Sequence, residues 1–349
     1  MYLTKAFAAQ RRGEPLTAWQ VERRALRPRD VLIEIDFCGV CHSDLHQAHG
    51  EWGRQLFPMV PGHEIVGRVQ RVGPAVSRRQ MGDRVGVGCF VDSCRRCASC
   101  LEGLEPYCEQ GMTATYNSLE RDGLTRSYGG YATAIVVDEA YTVAIPEALP
   151  SDAAAPLLCA GITVYSPLRH WRAGPGTRVA VLGLGGLGHV AVKIARALGA
   201  EVSVLSHSAR KEQDAFRLGA HAFHCATDFA AQTHLRGAFD LILHTVSSRV
   251  DLDALAGLLR RDGTLVMLGI SPEPQGIRAF SLISQRRSLA GSTMGGIAQT
   301  QEMLDFCAQH GICCDIERIR MQDINEAFER LQGGDVRYRF VIDMASLRA

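Results

Sequence analysis

The sequence predicts a two-domain α/β chain, a barrel-like β domain joined to a doubly wound parallel sheet. Three observations lead there. The chain has 349 residues, more than one ordinary core accommodates. Its first third reads as short, glycine-punctuated strands without helical periodicity. Beyond Leu149-Pro150-Ser151-Asp152, strands alternate with amphipathic helices.

The elements follow in order. Val31 to Phe37 sets Ile33, Ile35 and Phe37 against Glu34 and Asp36, the period-2 pattern of a half-buried strand. Ile65–Val72, Arg84–Val91 and Tyr131–Val137 read as further strands. Ser151 is the expected N-cap of an alanine-rich helical stretch. Arg178–Leu182 is a short apolar strand. The helix expected over Gly186–Leu198 carries Leu187, Val190, Ala191, Ile194 and Leu198 on one face. Glu201–Leu205, Phe239–His244 and Thr264–Leu268 are predicted core strands, with a helix over Leu252–Arg260. Asp323 and Glu326 form an expected capping box for a helix over Ile324–Leu331, and Tyr338–Ile342 is a last strand returning to the first domain. The texture places the divisions so that 1–152 and 297–349 form one domain and 153–296 the other.

Composition narrows the function. With 46% hydrophobic residues and 38 basic against 37 acidic side chains, disorder and generic nucleic-acid binding are disfavoured. The N-terminal MYLTKAFAAQRRGEPL lacks an apolar signal core, and the charge-free run Ala153–Leu168 contains two prolines. A cytoplasmic protein without a membrane partner is expected. In that compartment the 12 cysteines read as reduced thiols or metal ligands, not a disulfide framework.

Gly183-Leu184-Gly185-Gly186-Leu187-Gly188 fits the dinucleotide-binding turn, and it lies between a predicted strand and a predicted helix. Gly183 allows the tight turn, Gly185 a close pyrophosphate and Gly188 close helix–strand packing. NAD sites place an acid after the second strand. Here Leu205 is followed by Ser206-His207-Ser208-Ala209-Arg210-Lys211, hydroxyls and cations suited to a 2′-phosphate, so NADP(H) is expected.

Cys94, Cys97, Cys100 and Cys108 put four thiols within fifteen residues, in a polar lobe over 89–110 that has little core of its own. A structural zinc would supply its folding energy. The same thiolates also suit an iron–sulfur cluster, with zinc favoured. A second set, Cys41-His42-Ser43-Asp44-Leu45-His46 with Gly62-His63-Glu64, is dispersed, and spacing does not say which side chains meet.

Gly39-Val40-Cys41-His42-Ser43-Asp44, Pro61-Gly62-His63-Glu64-Ile65-Val66-Gly67, the four-cysteine lobe, Leu157-Leu158-Cys159-Ala160-Gly161-Ile162-Thr163 and the glycine turn occur in that order. Together they make the chain resemble the zinc-dependent medium-chain alcohol dehydrogenases over essentially its whole length, in particular the cinnamyl alcohol dehydrogenase branch and its bacterial aldehyde-reductase relatives. The resemblance implies a GroES-like β-barrel catalytic domain, a Rossmann domain and two zinc ions per chain. By that likeness Cys41, His63 and Cys159 match catalytic zinc ligands, a donor set general to alcohol dehydrogenases. Glu64 matches a neighbouring glutamate that can approach or ligate the metal, and Cys94, Cys97, Cys100 and Cys108 match structural ligands. Ser43 and His46 match a proton relay. Thr163, Val246, Ile270, Ser292 and Arg339 match cofactor-contacting segments beside Gly183, Gly185, Gly186, Leu187, Gly188, Ser206, His207, Ser208 and Lys211.

The implied chemistry is hydride transfer from NADPH to an aldehyde, with zinc as Lewis acid. Trp52, Cys89, Ile270, Thr293 and Met294 match pocket positions. Thr293 stands where plant enzymes for cinnamyl alcohols commonly have a bulky aromatic, so a broad range of aromatic and aliphatic aldehydes is expected. The rivals are a cinnamyl alcohol dehydrogenase in the strict sense, an NAD-dependent polyol dehydrogenase, opposed by the missing acid, and a non-catalytic NADPH or redox sensor. Relatives imply a homodimer.

Overall fold

The computed structural model describes every residue except Met1, Arg54, Pro272 and Ala349. Ile33 and Ile35 are fully buried, as their alternation with Glu34 demands, on the strand Asp30–Gly39. The period then breaks. An irregularity in the pairing with Ile65–Val72, between Ile35 and Phe37, turns the strand by one residue. Cys38 is therefore buried where Phe37 was expected, and Phe37 is half-exposed beneath the Arg318 guanidinium.

This strand is the spine of the first of two compact units, residues 1–162 with 295–349. Its sheet runs in the order Ile316–Arg320, Arg339–Asp343, Asp30–Gly39, Ile65–Val72, Arg84–Val87 and Val143–Ala144, with Ala134–Asp138 also pairing to Asp30–Gly39. The closing strand Arg339–Asp343 does return to this sheet, antiparallel to Asp30–Gly39. The expected strand over Arg84–Val91 is two, Arg84–Val87 and Phe90–Asp92, separated at Gly88-Cys89. The division expected at 152/153 and 296/297 falls at 162/163 and 294/295, because Ala155, Leu157, Leu158 and Ile162 are buried in the first unit.

The second unit, residues 163–294, is a parallel sheet in the order Ala222–Cys225, Glu201–Ser206, Arg178–Leu182, Phe239–His244, Leu259–Met267 and Ser288–Gly291. Numbered along the unit, that is 3-2-1-4-5-6, the doubly wound dinucleotide-binding order. One face packs Leu182, Leu205, Ile242 and Leu265 against Leu252, Leu255 and Leu258 of the helix Leu252–Leu258. That helix ends two residues before the expected Arg260, since Leu259 already begins the next strand. The helix Gly188–Ala197 buries Val190, Ala191 and Ile194, and Leu187 and Leu198 flank it half-exposed.

Two expected caps do not form. Pro150 takes the N-cap position, and the Ser151 hydroxyl accepts from the Arg84 guanidinium at 3.3 Å. Asp323 makes no side-chain cap to the helix Ile324–Gln332; its carboxylate is held by Arg320 at 2.8 and 2.9 Å. An arginine offers a charged donor, which outbids a neutral amide. Among the described residues, no helix is long and apolar enough to cross a membrane.

Candidate functional site

The lobe around Cys94 has little buried apolar surface, so its order comes from polar contacts. The short pair Phe90–Asp92 and Thr113–Ala114 opens it, and Arg95 ties it down through Asp92 at 2.9 Å and Asp138 at 2.8 Å. The Cys97 amide donates to Cys94 Sγ at 3.3 Å and the Cys94 amide to Cys108 Sγ at 3.4 Å. The Arg96 amide pulls the Cys94 thiol down to about 6; burial opposes this, and the Cys97 amide adds to the lowering. Donor atoms of Cys94, Cys97, Cys100 and Cys108 all lie within 4.8 Å of one another, with Cys94 and Cys100 sulfurs 3.8 Å apart. Zn–S bonds of about 2.3 Å set tetrahedral S···S edges of about 3.8 Å, so this set fits one zinc ion. Among the described residues, no cysteine is disulfide-bonded.

The second cluster is assembled from distant segments. Cys41 precedes the helix His42–Ala48, His63 and Glu64 lead into Ile65–Val72, and Cys159 follows the turn Ala155–Leu158. Their donor atoms also lie within 4.8 Å of one another, and the Cys41 and Cys159 sulfurs are 4.0 Å apart. Two thiols, an imidazole and a buried carboxylate fit a zinc with one exchangeable position. Gly62 makes the approach possible: at φ +100°, a Cβ there would lie 2.6 Å from the Tyr131 ring and 2.9 Å from Cys38 Sγ.

Sequence reasoning gave Asp44 no role, yet it organises the site. Fully buried, its carboxylate accepts from the Cys41 amide at 2.9 Å, the Gly62 amide at 3.1 Å, Tyr131 Oη at 3.1 Å and His63 Nδ1 at 3.1 Å. A proton held on Nδ1 leaves Nε2 as the ligand atom. Burial opposes the cationic form of His63, but Asp44, joined by the Cys89 and Cys41 sulfurs, raises the imidazole well above its ordinary value. Glu64 was expected near the metal; its unforeseen partner is Arg339, an ion pair buried beside it. Burial lifts the Glu64 carboxyl to about 7 although the Arg339 charge pulls it down. Among the described residues, Glu64 Oε2 and Arg339 Nε have no hydrogen-bond partner. A hydrogen bond from Cys159 stabilises the Cys41 thiolate, burial opposes it, and Arg339 adds to the lowering. The signal for Asp44 was available in the sequence, as an acid three residues after Cys41 at the start of a helix.

Ser43 Oγ lies 3.4 Å from His63 Nε2, on the ligand side of that ring. The His46 imidazole is paired with the Glu51 carboxylate and stacked on Trp52, centroids 4.8 Å apart. Trp52 thus has an aromatic partner within the protein. Cys89 Sγ donates to the Leu158 carbonyl at 3.8 Å, beside Cys159.

In the second unit, Gly183 (φ +92°) turns under Val246; a Cβ on it would lie 2.3 Å from Val246 Cγ1. A Cβ on Gly188 would lie 2.0 Å from the Gly183 carbonyl oxygen, while at Gly185 the space is open. These are the turn, packing and phosphate-approach demands of a dinucleotide site, and the residues fit the group. Gly183, Ser206, His207 and Val246 line a cleft of about 820 Å³ with Arg249 and Leu252. Ser208 follows, its amide donating to Ser206 Oγ at 3.1 Å, and Lys211 ends the next turn. Thr163 lies on the helix Ala160–His170. Ile270 is exposed; Ser292 Oγ donates to the Thr293 carbonyl, and Thr293 Oγ1 to Met294 Sδ at 3.0 Å. The structure thus groups Trp52 and Cys89 in the first unit and Ile270, Thr293 and Met294 in the second. It puts Arg339 on Glu64, in the first unit.

Comparison with known proteins points to one family. Residues 27–147 match the alcohol dehydrogenase GroES-like domain and residues 186–309 the zinc-binding dehydrogenase family. The chain is 58% identical to NADP-dependent alcohol dehydrogenase C 1 of Mycolicibacterium smegmatis over the full length of both. It is 52% identical to aldehyde reductase YahK of Escherichia coli, over 98% of this chain and 99% of that one. Among solved structures, the cinnamyl alcohol dehydrogenase of Helicobacter pylori complexed with NADP(H) superposes with a TM-score of 0.92 at 41% identity, covering 98% of each chain.

Proposed function

This chain belongs to the zinc-dependent medium-chain alcohol dehydrogenases, and we propose how its residues divide the work of that chemistry. It is an NADP-dependent alcohol dehydrogenase and aldehyde reductase, interconverting aldehydes and primary alcohols. The observation that carries the reading is the closed set Cys41, His63, Glu64 and Cys159, in a chain that also bears a dinucleotide turn at Gly183–Gly188.

When bound, zinc supplies Lewis acidity and NADPH the hydride. Cys41, His63 and Cys159 hold the catalytic metal, and Glu64 is a fourth donor that Arg339 keeps in reserve. Asp44 fixes the His63 tautomer. Ser43 Oγ passes a proton toward the His46 imidazole, whose Nδ1 side is held by Glu51. Gly183, Gly185, Gly186, Leu187 and Gly188 seat the pyrophosphate, and Ser206, His207, Ser208 and Lys211 the 2′-phosphate. Thr163, Val246, Ile270 and Ser292 contact the nicotinamide half, and Arg339 adds a cation for the cofactor. The family resemblance assigns Trp52, Cys89, Ile270, Thr293 and Met294 individually to substrate contacts, and Thr293 to a broad aldehyde range.

We assign the functional chain to a homodimer. Ser288–Gly291 is an exposed sheet edge, with Phe280 and Ile283 of the preceding helix 76% and 70% exposed. Apolar surface beside an unpaired edge supports pairing with a second copy. We place it in the cytoplasm, the compartment that keeps two thiolate-bearing metal centres reduced.

A steady-state panel comparing NADPH with NADH on benzaldehyde, cinnamaldehyde and butanal tests the reading, with metal content measured alongside. Turnover of all three with NADPH and two zincs per chain is expected. No turnover in zinc-loaded protein overturns the aldehyde-reductase assignment, and preference for NADH overturns the cofactor assignment.

A further inference from the structure

The dinucleotide cleft of the second unit has an unusual charge balance. Asp228, Asp251 and Asp253 line it, and Arg249 is the one arginine or lysine among its lining residues. Each aspartate is engaged locally. Asp228 accepts from the Ala230 amide at 2.8 Å and Asp251 from the Ala254 amide at 3.0 Å. Asp253 takes the Arg278 amide and guanidinium, each at 3.0 Å, and the Ser281 hydroxyl. Arg249, exposed on the loop between Phe239–His244 and Leu252–Leu258, has neither an ion-pair nor a hydrogen-bond partner among the described residues. The hydroxyls offered by the turn after Glu201–Ser206 are partly spent, because Ser206 Oγ accepts the Ser208 amide and donates back to its carbonyl at 3.4 Å. Arg210 and Lys211 lie beyond the lining residues.

A phosphomonoester carries about two negative charges at neutral pH. Entering a cleft whose wall already holds three carboxylates, it needs a cation there, and a guanidinium binds phosphate through paired N–H donors. We propose that Arg249 is a specificity-determining residue that reads the 2′-phosphate of NADP(H) from the loop opposite Ser206 and His207. Cofactor choice is then set by two segments, the serine-rich turn and the Arg249 loop. The inference rests on the NADP(H) reading above and adds a residue to it.

The test is calorimetric titration of the zinc-loaded protein with 2′,5′-ADP and with 5′-AMP, which differ only in the 2′-phosphate. Arg249→Gln should weaken 2′,5′-ADP about tenfold, the effect of one lost charge-assisted contact, and leave 5′-AMP within about twofold. Arg249→Lys should recover part of the loss, and the difference should shrink as salt rises. Equal weakening of both nucleotides, or no weakening of either, overturns the role. A wild-type protein that does not distinguish the two nucleotides overturns the NADP(H) reading itself, and Arg249's role with it. A wild type that does distinguish them, with Arg249→Gln unchanged, overturns only the role of Arg249.

Discussion

The two donor clusters use overlapping chemistry but are built in opposite ways. Cys94, Cys97, Cys100 and Cys108 come from one short segment, half-exposed for the most part and held by backbone amides and the Arg95 ion pairs. Cys41, His63, Glu64 and Cys159 come from three segments, mostly buried, and depend on Asp44 and Arg339 for charge balance. A local cluster can be loaded almost independently of the remaining fold. A dispersed cluster exists only when the fold has formed, and its electrostatics are already set before a metal arrives.

Removing a ligand from each cluster separates these descriptions. Cys159→Ser should lower kcat/KM by about a thousandfold or more, since it removes a direct ligand of the Lewis acid. Zinc content should fall from two to about one per chain, with the melting temperature moving little. Metal analysis beside steady-state kinetics checks both halves. A variant that loses both zincs would show that the clusters are coupled.

Cys97→Ser should do the converse. A lobe with few buried apolar contacts relies on its metal, so thermal unfolding should begin several degrees lower, an effect on the order of 2–5 kcal/mol. Turnover per remaining catalytic zinc should stay within about threefold of wild type at low temperature, because Cys97 touches no reacting group. A large loss of kcat in folded protein would make the lobe part of the catalytic machinery.

The same contrast governs how much was legible in the sequence. The lobe could be read from spacing, because its four ligands are close enough for chain geometry to bring them together. Spacing could not join Cys41 to Cys159; that pairing came from resemblance. Asp44 was visible as a letter in the Cys41-His42-Ser43-Asp44 run, but its four donors, from Cys41, Gly62, His63 and Tyr131, converge only on folding. The Glu64–Arg339 pair spans nearly the whole chain and carried no local signal. In the nucleotide unit, alternating apolar strands and helices sufficed to give a doubly wound parallel sheet, since right-handed crossovers leave few alternatives, but the strand order itself is seen only in the folded chain. The errors were local rules overridden at a distance: Arg84 took Ser151, Arg320 took Asp323, and a pairing irregularity buried Cys38 in place of Phe37.

Asp44→Asn probes the charge balance without touching a ligand. The amide keeps much of the volume but offers a neutral acceptor to His63 Nδ1. Metal affinity of the dispersed site should fall by about 10- to 100-fold, the usual cost of losing such a support, while the lobe is unchanged. Competition with a chelator, followed by the absorption of a cobalt-substituted catalytic site, measures this directly. Equal chelator resistance in wild type and variant would mean that Asp44 serves folding alone.

The smallest effect is expected furthest from the metal. His46 is paired with Glu51 and stacked on Trp52, so its ring is held in place without being a ligand. His46→Ala should leave two zincs per chain and slow turnover by about tenfold, less than for a group in direct contact with substrate, because water can replace an outer relay. The pH profile of kcat should change shape, and an added small imidazole should restore part of the rate. A uniformly lowered rate with an unaltered profile would assign His46 to supporting Trp52, and would leave Ser43 to exchange its proton with solvent directly.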